Sequence, residues 1–213
     1  MLAMRWWAAS ARGDRAREHR ERGVTLIEAA LVTPVFVVLL FGVLELGAAY
    51  KDKLTVTNAT TSGARVGSAA ADDAFSDFHI LQAVGKAVTA APAGSIQRVV
   101  VFKAEGPDGT PTAGCKAGTP SAGIAGTRLG ACNVYTWASF SEARAKFGCQ
   151  LAYNLDRYYC PTQRKVALSV LNGGPPDLVG VWVQMRHDYF TQIFDDSVML
   201  TDQTVIAVEP RRL

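Results

Sequence analysis

One carboxylate, that of Glu28, lies inside an otherwise apolar stretch of the chain, four residues after Val24. An ionised group in hydrocarbon costs a few kcal/mol even on the gentler insertion scales. Because residues i and i+4 share one face of a helix, a helical segment here places Glu28 beside residue 24. The spacing therefore predicts either a charge partner for Glu28 or a carboxylate that snorkels to the membrane interface.

Four cysteines offer a second kind of chemistry. They allow three pairings, and we favour Cys115 with Cys132 and Cys149 with Cys160 because each pair closes a short local loop. In the chain-entropy description each such disulfide contributes about 3 kcal/mol. The cysteines include no CxxC pair and have no histidine among them, which disfavours a metal site. Disulfides indicate that this part of the chain lies outside the cytoplasm.

The sequence contains no recognisable catalytic constellation. It has no GxGxxG, P-loop, GxSxG or HExxH motif. Lone histidines are most often structural, and the loosely clustered acids near the end of the chain lack the spacing of a calcium loop. We therefore expect no enzymatic activity, no cofactor and no bound metal. The lone histidines are His19, His79 and His187, and the clustered acids are Asp188, Asp195, Asp196 and Asp202.

The elements that position these groups begin with an apolar run. Residues 29–44 carry no charge and are bracketed by Glu28 and Glu45. Extended to residues 24–50, the run is about 27 residues long, or roughly 40 Å of helix, which is enough to cross a bilayer. The alternatives are a buried core helix and a secretory signal peptide, whose apolar region is typically shorter. We predict a transmembrane helix at 24–50, with Glu45 solvated near its outer end.

The charge distribution predicts the orientation of this helix. Residues 1–23 carry six arginines against three acids, which accounts for the whole net charge of +3. The positive-inside rule therefore places this basic leader in the cytoplasm and the chain beyond residue 50 outside. The remainder is formally neutral, so it contains no basic domain for nucleic acid. The expected localisation is the cell membrane, crossed once, with the lipid bilayer as a partner.

Beyond the membrane, residues 51–213 favour an α+β domain. Residues 46–71 are compatible with continued helix, and residues 75–90 have apolar side chains at helical spacing. Gly63 and Gly67 form a small-xxx-small pair that allows close packing by a second helix, from the same domain or from another chain.

Four β-branched or alternating segments predict a roughly four-stranded antiparallel sheet, with the helices on one face. Between the first two segments lies an insert, residues 105–164, that is first rich in Gly, Pro and Thr and then aromatic. It holds all four cysteines, none of which is expected in the sheet. The predicted strands are 96–104, 165–171, 179–189 and 197–209.

The stretch RGVTLIEAALVTPVFVVLLFGVLELGAAY, followed by NATTSGARVGSAA, resembles the TadE family of the tight-adherence (Flp) pilus system over residues 22 to about 71. The basic leader, the glycine and VTLIE are similar to the type IV pilin class of signal. The resemblance implies a cut by a prepilin peptidase between Gly23 and Val24, on the cytoplasmic side. The cut would leave a new α-amino group on Val24, a charge partner for Glu28 of the same chain or of a neighbour.

The resemblance implies a minor pilin-like (pseudopilin) subunit that acts in pilus assembly and surface adhesion. Its partners would be the prepilin peptidase, other pilin-like subunits, the main Flp pilin and a membrane platform driven by a cytoplasmic ATPase. The alternative is an uncleaved single-span surface protein whose aromatic insert is a binding module, because exposed Tyr and Trp suit contact surfaces.

Overall fold

One continuous helix, α1, spans Trp7–Ala70 in the computed structural model of the chain, which describes residues 7–166, 175–191 and 195–209. The helix continues through Pro34, which membrane helices tolerate. Just before it, the hydroxyl of Thr33 donates to the carbonyl of Ala29 at 2.7 Å. The helix ends where Ala71 takes a left-handed conformation with φ of 52°, which an L-residue adopts only at a break. The chain divides into two compact units, Met1–Gly47 and Ala48–Leu213.

A second helix, α2, spans Ser76–Ala87, so the prediction of a helix near residues 75–90 is confirmed. Its first turn carries Asp77 and its last turn Lys86, and both charges suit the helix dipole. The backbone N–H of Phe75 donates to the side chain of Asp73 at 2.8 Å, which fixes the turn into the helix.

Within the described residues, four strands form one antiparallel sheet in the order β2-β1-β3-β4. The α+β prediction with a four-stranded antiparallel sheet is therefore confirmed. The strands are β1, Ile96–Ala104; β2, Cys132–Tyr135; β3, Leu178–Asp188; and β4, Ser197–Ala207. A short helix, α3, spans Ala113–Ala117, and 3-10 turns cover Trp137–Ser141, Arg144–Lys146 and Pro161–Gln163.

One predicted strand, 165–171, is contradicted at the two residues that the structure describes. Residues 165 and 166 are not in a strand, and residues 167–171 lie outside the described residues. The fourth strand is instead β2, within the insert, so Cys132 does lie in the sheet. The four residues of β2 escape a hydropathy search because Asn133, on the face that packs against the helices, is polar yet fully buried.

The sheet has a core on each face because successive side chains of a strand point to opposite sides. On one face Val99, Val101 and Val181 pack with residues of α1 and α2. On the other, Phe102 and Trp182 pack with the Cys115–Cys132 disulfide. The helices thus cover one face, as predicted, and part of the insert covers the other.

The small residues of α1 allow its close contact with α2 inside the second unit. A Cβ added to Gly63 would lie 2.8 Å from a methyl group of Val84, and one added to Gly67 would lie 2.9 Å from Ile80. These distances are shorter than van der Waals contact, so a Cβ at either position would displace a side chain of α2; at Gly67 that is the flexible end of Ile80, and at Gly63 a methyl group of the stiffer Val84. The Gly63–Gly67 pair therefore serves packing within the domain.

Candidate functional site

Gly23 and Val24, the predicted cleavage residues, both lie within α1. Glycine is among the poorest helix formers, by about 1 kcal/mol relative to alanine. Local opening of the helix is therefore less costly at Gly23 than at its neighbours. Val24 is 62% exposed, and Glu28, one turn later on the same helical face, is also exposed.

The helix around Glu28 presents a long apolar surface. The side chains of Leu26, Ile27 and Leu31 are 63–72% exposed. Within the described residues, the Val24–Ala70 part of α1 is the one segment long and apolar enough to cross a membrane. An exposed apolar surface of this size marks a membrane or protein contact, and an N-terminal apolar helix of this kind indicates single-pass membrane anchoring.

Glu45 does not fit its sequence prediction. The sequence predicts a solvated side chain at the outer end of the apolar run, but Glu45 is only 1% exposed. Hydropathy shows where an apolar run ends, but it does not show which helical face is covered.

A buried polar cluster ties the insert to α2. The Asp77 carboxylate accepts hydrogen bonds from Tyr135 Oη at 2.6 Å and Asn133 Nδ2 at 2.8 Å, and it forms an ion pair with Arg164. Arg164 also donates to Ser76 Oγ at 3.1 Å. These residues were not singled out from the sequence. They are up to 88 residues apart, and no local pattern predicts that they meet.

The electrostatics of the cluster favour a charged Asp77–Arg164 pair beside a neutral phenol. Burial, and next the negative charge of Asp77, raise the pKa of Tyr135. For Arg164, burial works to lower the pKa, but the attraction of Asp77 and its hydrogen bond leave the pKa raised. The cluster therefore keeps one ion pair and no free charge, which is typical of a structural site.

Further buried polar side chains organise the loop closed by Cys149 and Cys160. Asp156 accepts hydrogen bonds from the backbone N–H groups of Gly148 at 2.8 Å and Cys149 at 2.9 Å. Asn154 accepts from the backbone N–H of Leu151 at 2.8 Å. Buried backbone N–H groups need such partners, so these two side chains replace regular secondary structure in this loop.

The four cysteines form two disulfides, Cys115 with Cys132 and Cys149 with Cys160. These are the pairs that close the shorter loops. Within the described parts of the chain, no three His, Cys, Asp or Glu side chains gather as a possible metal site. Of the acids noted in the sequence, Asp188 pairs with Arg186 at 2.6 Å, and Asp202 accepts a hydrogen bond from Thr57.

The chain thus has two different parts: an exposed apolar helix segment, and a domain held together by buried polar contacts. Residues 23–65 match the family model of TadE-like proteins. The TadE-like segment begins at Gly23 and includes Val24, Glu28 and the whole apolar run; it covers 43 of the 213 residues. It indicates a pilin-like protein associated with the tight-adherence pilus. No curated protein and no solved structure matches the chain.

The TadE-like segment ends inside α1, at Arg65. The sheet, the Asp77–Arg164 cluster and both disulfides lie outside it. The features that carry the family likeness are therefore those of the apolar helix and its start.

Proposed function

We propose that this chain is a minor pilin-like (pseudopilin) subunit of a tight-adherence pilus and that it is not an enzyme. Residues 24–50 anchor it in the cell membrane, with the basic leader in the cytoplasm and the α+β domain outside. One observation carries this proposal. The TadE-like match begins at Gly23, directly before an exposed apolar helix face that bears a single carboxylate.

The proposed reaction is cleavage of the Gly23–Val24 peptide bond by a prepilin peptidase. Cleavage removes the arginine-rich leader and leaves an α-amino group on Val24. That amine and Glu28 are one helical turn apart, so the pair neutralises itself within one chain. Between packed subunits, Glu28 of one chain pairs with the amine of its neighbour, which removes both charges from the apolar interior.

The exposed apolar face of α1 suits contact with lipid before assembly and with other helices after it. Before assembly, lipid surrounds side chains such as Leu26, Leu31 and Phe36, which are at least 62% exposed in the isolated chain. After cleavage, the corresponding helices of other pilin-like subunits and of the Flp pilin take the place of lipid. The membrane assembly platform and its ATPase would drive this transfer. The α+β domain is large for the subunit of the main fibre, which favours a minor or priming role in assembly and adhesion.

The test is the mass of the native protein purified from its own membranes. A mature chain that begins at Val24 supports the proposal, whereas an intact leader or a cut after Tyr50 overturns it. In co-expression with a prepilin peptidase, Gly23→Ala should block processing. The matched control is Gly13→Ala, a glycine of the leader, which should leave processing unchanged.

The second candidate function is an uncleaved surface protein whose insert binds a ligand. It is favoured by the exposed aromatic side chains of the insert, with Tyr153 57% and Trp137 36% exposed. This candidate predicts an intact N-terminus and normal ligand binding by the Gly23→Ala variant. Loss of ligand binding in the Tyr153→Ser variant, with pili formed normally, would support it.

A further inference from the structure

Two cations of the insert lie beside an exposed tyrosine. Lys146 Nζ lies over the ring of Tyr153, 5.6 Å from its centre. The guanidinium of Arg157 donates to the carbonyl of Ala152, the residue before Tyr153, and to Tyr158 Oη at 2.7 Å. Both cations therefore lie beside the turn that carries Tyr153. We call Lys146, Tyr153, Arg157 and Tyr158 the basic patch.

The loop beneath the basic patch is held by contacts of its own. The backbone N–H of Leu155 donates to the carbonyl of Lys146 at 2.9 Å, which joins the two arms of the loop. The disulfide between Cys149 and Cys160 closes it, and the buried carboxylate of Asp156 binds its backbone N–H groups. Because the loop is ordered in the free protein, a ligand loses less free energy in fixing it.

The positive charge of the basic patch is not neutralised by the domain itself. Lys146 and Arg157 are both exposed, and neither forms an ion pair within the described residues. Residues 137–165 carry five Lys and Arg against two Asp and Glu, whereas the chain from residue 24 onward is formally neutral. A local excess of positive charge attracts anionic partners and orients them.

Tyr153 adds an apolar surface to these cations. It is 57% exposed, and Leu151 in the same turn is 50% exposed. A pyranose sugar has a face of C–H groups that packs on an aromatic ring, and the hydroxyl groups of Tyr153 and Tyr158 suit hydrogen bonds with sugar hydroxyls. A uronic acid carries both the C–H face and a carboxylate on one ring, so it matches a tyrosine flanked by cations.

Other anionic polymers match the basic patch less well. Single-stranded nucleic acid also stacks on aromatic rings, but its affinity draws on many phosphate contacts. The basic patch offers two cations, in a chain that is formally neutral beyond residue 23. An acidic peptide supplies carboxylates without an apolar ring face attached to each of them.

We propose that the basic patch binds an acidic polysaccharide whose sugars carry carboxylates. One sugar ring packs on Tyr153, and its carboxylate accepts hydrogen bonds from Arg157. The guanidinium has five N–H donors, of which Ala152 and Tyr158 take two. Lys146 attracts the same carboxylate or that of the next sugar. This inference deepens the proposed role in adhesion by naming its ligand class, and it rests on that role.

The experiment measures binding of the full-length protein in detergent to immobilised polymers by biolayer interferometry. The probes are polygalacturonate, alginate, fully methyl-esterified polygalacturonate, polyglutamate and single-stranded DNA. The methyl ester keeps the sugar ring without the charge, and polyglutamate keeps the charge without the ring. We expect at least one of the two uronate polymers to bind about tenfold more tightly than the last three probes. Failure of both uronate polymers to bind, or equal or tighter binding of any of the last three, overturns the inference.

Variants of the basic patch test the site itself. Lys146→Gln, Tyr153→Ser and Arg157→Gln should each weaken uronate binding at least about threefold. The three side chains are exposed, so urea midpoints should stay at the wild-type value. The matched control is Lys86→Gln, an exposed lysine of α2, which should bind normally. Unchanged binding in the three variants, or an equal loss in Lys86→Gln, overturns the inference.

Binding and processing are measured separately, so their failures are distinguishable. The mass of the mature chain tests the proposed pilin-like function, and polymer binding tests the basic patch. A chain that begins at Val24 but binds no uronate polymer overturns the inference alone. An intact leader together with uronate binding overturns the pilin-like function and leaves the basic patch as a binding site.

Discussion

Asp77 in the first turn of α2 and Arg164 in the insert form an ion pair, and both side chains are completely buried. The two residues are 87 positions apart, so this one contact closes most of the domain around α2. Burial of two charges is costly, and the attraction between them offsets that cost only while both are present.

Loss of one partner should therefore be strongly destabilising. We expect Arg164→Met to lower the free energy of unfolding by about 3–5 kcal/mol, because Asp77 is left as a buried unpaired charge. Urea unfolding of the full chain in detergent, followed by circular dichroism, measures this. The control is Arg157→Met, an exposed arginine of the same insert, which should change stability by less than about 0.5 kcal/mol. The double variant Asp77→Asn/Arg164→Met should lose less unfolding free energy than the two single variants lose together. If the losses of the single variants simply add, this account is contradicted.

The glycines of α1 should differ sharply in their tolerance of a methyl group. In Gly63→Ala the new Cβ meets Val84, a β-branched residue of the buried α2 face, and overpacking typically costs about 1–3 kcal/mol. At Gly47 a Cβ meets nothing within 4 Å, so Gly47→Ala should be neutral or stabilise the helix by up to about 1 kcal/mol. Thermal unfolding of both variants tests this, and equal melting temperatures would show that the α1–α2 contact is looser than described.

The two disulfides should not contribute equally. By loop length alone each contributes about 3 kcal/mol, since they span 17 and 11 residues. Cys115 and Cys132, however, are 1% and 0% exposed and pack in the core with Phe102. Replacing this pair by alanine should therefore cost more than replacing Cys149 and Cys160. Denaturant midpoints of the two double variants give the order, and the reverse order would contradict a packing role for the first pair.

The parts of the fold that were predicted correctly depend on local patterns. The apolar run, α2 and the strands β1, β3 and β4 each have the period of their own element within about ten residues. The strand β2 was missed because Asn133 gives it a polar residue on its buried face, facing a carboxylate 56 residues away. The same reason hid the Asp77–Arg164 pair, since only the complete fold brings the two residues together.

The buried carboxylate of Asp156 should make stability depend on pH. Burial raises the pKa of Asp156. The hydrogen bond from the backbone N–H of Gly148 lowers this pKa, and the negative charge of Asp77 raises it further. The folded state thus binds the proton more tightly than the unfolded chain. The resulting stabilisation is complete below the unfolded pKa of about 3.9 and is lost as pH rises through the folded value. Asparagine does not titrate. The free energy of unfolding of the wild type, minus that of Asp156→Asn, should therefore be larger near pH 3 than near pH 7. A difference that instead grows towards neutral pH would contradict the shift.

Glu28 should matter for assembly but not for cleavage. Glu28→Gln keeps the shape of the side chain and removes the charge, so the Gly23–Val24 bond should still be cut. The new α-amino group of Val24 would then enter an apolar environment without its partner, which costs a few kcal/mol. We expect processed protein at normal levels in the membrane and at least tenfold less of it in sheared pili, measured by immunoblot of both fractions. Leu31→Met, one turn further along and still apolar, is the control and should assemble normally. Normal incorporation of Glu28→Gln would show that the amine is neutralised in another way.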